Sequence, residues 1–139
     1  MTVKLYSYWR SSASWRVRIA LNLKGISYEY EPIHLVKDGG EQHSEGYRAI
    51  NPARLLPSLE IDGHTLSESL AIVRYLDQTR PEPLLVPQDP YLGAKAWQLA
   101  ELVSSGIQPI QNLRVMQELK NQFDADADAR KVWSKQWIA

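Results

Sequence analysis

The sequence predicts an α/β domain followed by an all-helical segment, and three observations carry that expectation. Short runs of strand character, Val3 to Tyr6, Ser27 to Glu31 and Leu56 to Ile61, are separated by runs of helical period. Four of the eight prolines crowd between Pro81 and Pro90, where neither helix nor ladder can continue. Beyond them, Tyr91 to Lys120 carries Leu92, Ala96, Leu99, Val103, Ile107, Ile110, Leu113 and Met116 at helical intervals. The expected division is residues 1–80 as the α/β domain, 81–90 as linker and 91–139 as helices.

The first strand, Val3 to Tyr6, leads into three hydroxyls within four residues at Ser11, Ser12 and Ser14, the strongest helix-start signal in the chain. The helix from Trp15 to Lys24 places Val17, Ala20, Leu21 and the Lys24 stem on one face, and Gly25 ends it. Ser27 to Glu31 completes a strand–helix–strand unit of the length a parallel crossover needs. Val36 to Gly40 is expected to be loop, and Ser44 to Ile50 a turn or two of helix stopped by Asn51-Pro52. Pro57 starts a strand, a position that suits an edge or a cis bond. Asp62-Gly63 turns the chain into His64-Thr65-Leu66 as a hairpin. Ser67 is expected to cap a helix from Glu68 to Gln78, buried through Leu70, Val73 and Asp77 and through Ala71 and Tyr75. In the long helical run Gly106 and Pro109 predict a kink near Ser105, since proline cannot donate to the carbonyl four residues back. After a break at Phe123 to Ala125, Asp126 to Ile138 reads as a last helix with Trp133 and Trp137 one turn apart.

Sixteen basic residues balance sixteen acidic ones, so no global field draws in nucleic acid or an anionic membrane, and neither is expected as a partner. The absence of cysteine excludes disulfides, a protein thiol nucleophile and thiolate metal sites, and fits a reducing compartment. No long apolar run occurs, and the expected location is the cytoplasm.

Four groups of residues carry candidate chemistry. The Ser11–Ser14 helix start offers unpaired amides and hydroxyls to an anion or a thiolate, although the same serines serve equally as caps. Arg16 and Arg18 sit at the end of a helix where the dipole disfavours cations, which suggests an anionic substrate or a solvated surface. Glu68-Ser69 opens the next helix, where an amide could bind a carboxylate. Gln108 and Asn112 share a face beside the proline kink, with Arg114 displaced from it. His34, His43 and His64 lack metal-ligand spacing and are expected on the solvated surface.

These segments resemble the zeta class of glutathione transferases. The resemblance runs through Ser11-Ser12-Ala13-Ser14-Trp15-Arg16-Val17-Arg18-Ile19-Ala20-Leu21, with Ala13 where the class usually has cysteine, and through Asp38-Gly39-Gly40-Glu41-Gln42. It continues in Asn51-Pro52, in Leu56-Pro57-Ser58-Leu59, in Glu68-Ser69-Leu70-Ala71-Ile72 and from Ile107 to Val115. It implies a thioredoxin-like glutathione-binding domain followed by an all-helical domain that helps form a substrate pocket. Ser11, Ser12 and Ala13 would surround the glutathione sulfur, Gln42 and the Leu56 backbone would hold the tripeptide, with Pro57 cis, and Glu68 and Ser69 would take its γ-glutamyl end. Gln108, Asn112 and Arg114 would border the substrate, an unsaturated dicarboxylic keto acid held through Arg16 and Arg114.

The implied reaction is the glutathione-dependent cis–trans isomerisation of maleylacetoacetate to fumarylacetoacetate in tyrosine and phenylalanine breakdown, by thiolate addition, bond rotation and elimination. A transferase acting on small halogenated or unsaturated acids, or a binding module without turnover, are the alternatives. A thiol of pKa about 8.5 is only about 3% ionised at pH 7, and a shift of about two units corresponds to roughly 2.7 kcal/mol. A helix N-terminus supplies about 0.3 to 1 kcal/mol and a hydroxyl hydrogen bond to a charged sulfur roughly 1.5 to 3 kcal/mol, so the hydroxyl matters more. Ser11 is assigned that hydroxyl, with Ser12 supporting. Members of the class are longer, so the chain is expected to end within the helical domain. Leaving Leu99, Val103, Trp133, Trp137 and Ile138 open would be unfavourable by about 1.5 to 3 kcal/mol each, which predicts a homodimer, exchanged helices being one arrangement.

Overall fold

The computed structural model describes residues 2–138, which fall into two compact units meeting between Leu85 and Val86. In the first unit a four-stranded mixed sheet has the order β2-β1-β3-β4, with β1 Lys4–Ser7, β2 Glu29–Pro32, β3 Ser58–Ile61 and β4 His64–Ser67. β1 runs parallel to β2 and antiparallel to β3, and β3 pairs antiparallel with β4. The fold is thus the expected α/β sheet. The second strand lies two residues later at its start than expected, from Glu29, because Glu29 donates its amide to the Val3 carbonyl.

Period-two alternation sends Leu5 and Ser7 of β1 and Leu59 and Ile61 of β3 to one face, where α1 Ser12–Leu23 and α3 Ser69–Thr79 lie against each other. There Leu5, Val17, Ala20, Leu21, Leu59, Ile61, Ile72 and Leu76 form the core. On the opposite face Tyr6 donates to Glu60 Oε1 at 3.0 Å and packs on the ring of Tyr47, which belongs to α2 Glu45–Ile50. β3 is internal, so Pro57 does not mark an edge; it precedes the strand, and the Leu56–Pro57 bond is cis, as is Glu82–Pro83. Asp62 and Gly63 both take positive φ, 55° and 79°, the conformation a two-residue hairpin demands.

Two expectations at the third helix are corrected. Ser67 does not cap it: Ser67 is the last residue of β4, held opposite Ser58 by the ladder, and the chain turns at Glu68 with φ of 66° and no side-chain cap. The fully buried row is Ser69, Ile72, Leu76 and Asp77; of the expected residues Val73 and Tyr75 pack partly buried against the core, while Ala71 is exposed. Asp77 was expected in the row and is buried for a different reason. The Lys24 ammonium, fully buried, donates to Asp77 Oδ1 at 2.9 Å, to the Arg80 carbonyl at 2.6 Å and to the Pro83 carbonyl at 2.8 Å. Asp77 Oδ1 also accepts the Leu85 amide at 2.8 Å, so residues 80–85 are clasped to the first unit.

In the second unit Asp89 caps α4 Pro90–Glu101 by accepting the Leu92 amide at 2.8 Å, with Pro90 in the first turn, where its missing amide costs nothing. The expected single helix to Lys120 is interrupted twice. Leu102–Ile107 is π-helical, the Gln108 amide reaching back five residues to the Val103 carbonyl, which is how the chain accommodates Pro109. After α5 Gln108–Gln111, Asn112 leaves the helix with ψ of 172° and caps α6 Leu113–Phe123, its Oδ1 accepting the Val115 amide at 3.3 Å. Asn112 competes with the helix interior as short amides do. α7 Ala127–Ile138 follows a left-handed Asp124. Trp133 donates to the Ile110 carbonyl at 2.9 Å, tying α7 to α5, and its ring lies tilted against that of Trp137 with centroids 6.0 Å apart. Among the described residues no helix is long and apolar enough to cross a membrane, and no cluster of metal-ligating side chains occurs.

Candidate functional site

The register of the sheet gathers the candidate residues of the first unit. Ser7 pairs with Pro32, Tyr6 with Ser58, and Ser58 with Ser67, so the C-terminal ends of β1, β2 and β4 and the N-terminal end of β3 coincide. Four segments leave that one end: Tyr8 to Ser12 after β1, Ile33 to Gln42 after β2, Leu55 to Pro57 before β3, and Glu68-Ser69 after β4. The more enclosed cavity, about 350 Å³ beside Glu60, Ile61 and His64, opens at the other end and carries none of this chemistry.

Ser11 is the cap of α1. Its Oγ accepts the Ser14 amide at 3.1 Å, and its own amide donates to the Tyr8 carbonyl at 3.0 Å. A capping hydroxyl accepts with a lone pair and keeps its proton to donate outward. Ser12 begins the helix, exposed, and Ala13 follows it, half-buried. Arg16 stands one turn on, half-buried; burial pulls its guanidinium below the ordinary value and the nearby Glu68 carboxylate opposes that. Arg18 donates to the Trp9 carbonyl at 3.2 Å, in the turn before Ser11. Arg10, which spacing alone did not single out, extends over the Trp9 ring at 5.7 Å next to Ser11.

Gln42 is buried, donating from Nε2 to the Leu35 carbonyl at 3.3 Å, while its Oε1 is buried without a hydrogen-bond partner. Gly40, with φ of 103°, lets the backbone fold over that amide; a Cβ there would fall 2.5 Å from Gln42 Nε2. The expected loop from Val36 to Gly40 is tighter than foreseen, a 3₁₀ turn over Lys37–Gly39 followed by another over Glu41–His43. Leu56 is half-buried beside the buried Pro57, and Tyr47 fixes this corner by donating to the Leu55 carbonyl at 2.6 Å and bonding Ser58 Oγ at 2.9 Å. Burial raises the Tyr47 hydroxyl above its ordinary value, keeping it neutral for those bonds. Ser69 is buried under Glu68. His34, expected in solvent, is half-buried against Tyr8, whereas His43 and His64 are exposed.

Gln108, Asn112 and Arg114 lie in the second unit and do not share one helix face. Gln108 opens α5, the Asn112 side chain is engaged as the cap of α6, and Arg114 is exposed in the first turn of α6. The break that Asn112 creates separates them.

In the first unit this assembly provides a hydroxyl at a helix start, a carboxylate with an arginine in its field, and a buried amide oxygen without a hydrogen-bond partner. That set suits a small peptide bearing a sulfur, an ammonium and amide donors. The family described as glutathione S-transferase, N-terminal domain, matches residues 5–84. Probable maleylacetoacetate isomerase 2 of Drosophila melanogaster is 52% identical over 134 residues, 96% of this chain and 56% of that protein. The holo structure of maleyl pyruvate isomerase, a bacterial zeta-class glutathione S-transferase, superposes with a TM-score of 0.93 at 41% identity, covering 97% of this chain and 63% of that one. Maleylacetoacetate isomerase from Anaeromyxobacter dehalogenans 2CP-1, with GSH bound in its active site, gives 0.81 at 41% identity over 99% of this chain and 63% of that one. The chain spans a little over half the length of the curated relatives it matches.

Proposed function

The chain belongs to the glutathione S-transferase family, and on that premise we propose that it binds glutathione at the shared sheet end and serves the cis–trans isomerisation of maleylacetoacetate to fumarylacetoacetate. The observation that carries the reading is the Ser11 hydroxyl, which caps α1 through a lone pair and keeps its proton for a ligand sulfur. Bound glutathione supplies the thiolate that adds to the conjugated double bond and leaves again once the resulting single bond has rotated. Ser11 donates to that sulfur, the α1 dipole favours its negative charge, and Ser12 supports it. The Glu68 carboxylate receives the γ-glutamyl ammonium with Ser69 beneath it, Arg16 balances the charge of Glu68, and Gln42 Oε1 accepts an amide donor of the tripeptide alongside the Leu56 backbone. Ala13 removes a sulfur contact and leaves the hydroxyl route intact.

In this reading residues 1–80 form the binding domain, 81–90 link it onward, and 91–139 belong to the helical domain, from which Gln108 and Arg114 reach the substrate. Both arginines are assigned to substrate carboxylates; Arg16 has the Glu68 carboxylate nearby, and Arg114 is exposed in the first turn of α6. A homodimer in the cytoplasm belongs to the same reading: Leu99, Val103, Trp133, Trp137 and Ile138 are all exposed in the isolated chain, and no residue is cysteine.

The test is glutathione-dependent conversion of maleylacetone, a simpler analogue, together with glutathione thiolate absorbance in Ser11→Ala and Ser12→Ala. Conversion that vanishes without glutathione is expected, with the larger loss of thiolate in Ser11→Ala. A larger loss in Ser12→Ala would move the donor to Ser12, and glutathione-stabilised protein without conversion would leave a binding module.

A further inference from the structure

His34 lies in the segment after β2, one of the four that build the glutathione site, and its ring is engaged on both sides. Nδ1 accepts the Lys37 amide at 2.9 Å and the Val36 amide at 3.3 Å, which shapes the turn leading to Gly40 and Gln42. The backbone of His34 locks the far end of the same loop: its amide donates to Glu41 Oε2 at 2.7 Å, and its carbonyl accepts the Glu41 amide at 2.8 Å. Gln42, the next residue, returns its side chain to the Leu35 carbonyl. On the other side the ring meets that of buried Tyr8, 4.9 Å between centroids, and the Tyr8 carbonyl receives the Ser11 amide. One imidazole therefore couples the Ser11 turn to the Gln42 loop.

We infer that His34 is a positioning residue for glutathione, holding Gln42 and Ser11 in register through an Nδ1 that accepts two backbone amides. The inference rests on the glutathione reading of this site. An asparagine at position 34 would keep the function, since its side-chain oxygen accepts amides two and three residues on, as in an Asx turn.

The experiment compares the unaltered chain with His34→Ala and His34→Asn by titration calorimetry and by amide hydrogen exchange. The probe is S-methylglutathione, which has no group titrating between about pH 5.5 and about pH 7.5. Expected are an affinity lowered about tenfold in His34→Ala, as for the loss of one or two hydrogen bonds, and near-complete rescue in His34→Asn. Without ligand, the amides of Val36 and Lys37 exchange about tenfold faster in His34→Ala than in the other two. Equal affinity and equal protection in all three chains, or an Asn variant as weak as the Ala variant, would overturn the role of His34. An unaltered chain that binds no S-methylglutathione, yet keeps amide protection that depends on residue 34, would overturn the glutathione reading and retain the turn.

Discussion

Both units contain helices of 11 or 12 residues with apolar rows, yet among the described residues only the first closes a core. In the first unit Leu5, Val17, Leu21, Leu59, Ile72 and Leu76 are completely buried between the sheet and the α1–α3 pair. In the second, Gly93 is the only buried member of any described helix, and Leu99, Leu102 and Val103 stay 65%, 59% and 49% exposed along one helical run. The comparison teaches that periodicity states which face of a helix is to be covered, and a partner layer decides whether it is. In the first unit that layer is the sheet. In the second, the specific bonds that exist, Trp133 to Ile110 and the Asn112 cap, fix local geometry without enclosing a core.

The contrast would be broken most directly at Lys24 and along the two apolar rows. Lys24→Met removes one partner of a buried pair and leaves the Asp77 charge and two carbonyls unanswered, an expected loss of about 3 to 5 kcal/mol in urea unfolding followed by tryptophan fluorescence. A loss below about 1 kcal/mol would mean that the clasp on residues 80–85 is not part of the first unit's stability. Leu76→Ala should cost about 2 to 5 kcal/mol through its cavity, whereas Leu99→Ala should stay within about 0.5 kcal/mol in the isolated chain. If Leu99→Ala proved as costly as Leu76→Ala, its face would be covered in solution, and light scattering should then report the dimer.

How much of this was legible beforehand follows the same division. In the first unit, strand alternation, the Ser11 cap, the Asp62-Gly63 turn and the crossover spacing are local signals, and each element they announced is present. The misreadings there come from pairing: Ser67 looked like a cap until the β3 ladder held it in a strand, and the helix then began one residue later with Ile72 inward. The candidate residues were legible one by one, but their meeting at one sheet end depends on register, a non-local property. An isolated histidine carries no spacing signal, which is why sequence alone puts His34 on the solvated surface; its position arises from the amides of Val36 and Lys37 folding back on it. In the second unit Pro109 announced a disturbance correctly near Ser105, while the break at Asn112 was read as continuous helix. An asparagine three residues ahead of a valine amide is a cap signal that the surrounding apolar period masked.

The smallest effect sharpens the comparison at the outer face of the first unit, where order is maintained by charge and hydrogen bonding as well as by apolar burial. Burial first, then the hydrogen bond to Glu60 and the negative charges of Glu60, Glu31 and Glu29, push the Tyr6 hydroxyl from its ordinary 10.0 up to about 12. The folded chain therefore keeps a proton that the unfolded chain has lost across that interval. Stability from this source is complete below pH 10.0 and is lost as the pH rises toward about 12, because the unfolded state alone gains from deprotonation. Tyr6→Phe, which keeps the packing on Tyr47 and removes the ionisation, should flatten part of the alkaline decline in urea midpoint, the remainder belonging to the raised hydroxyls of Tyr47 and Tyr75. An unchanged decline in Tyr6→Phe would show that the outer face opens before Tyr6 titrates. The sheet's two faces would then differ in order as the two units do, and closure by a partner layer would account for both.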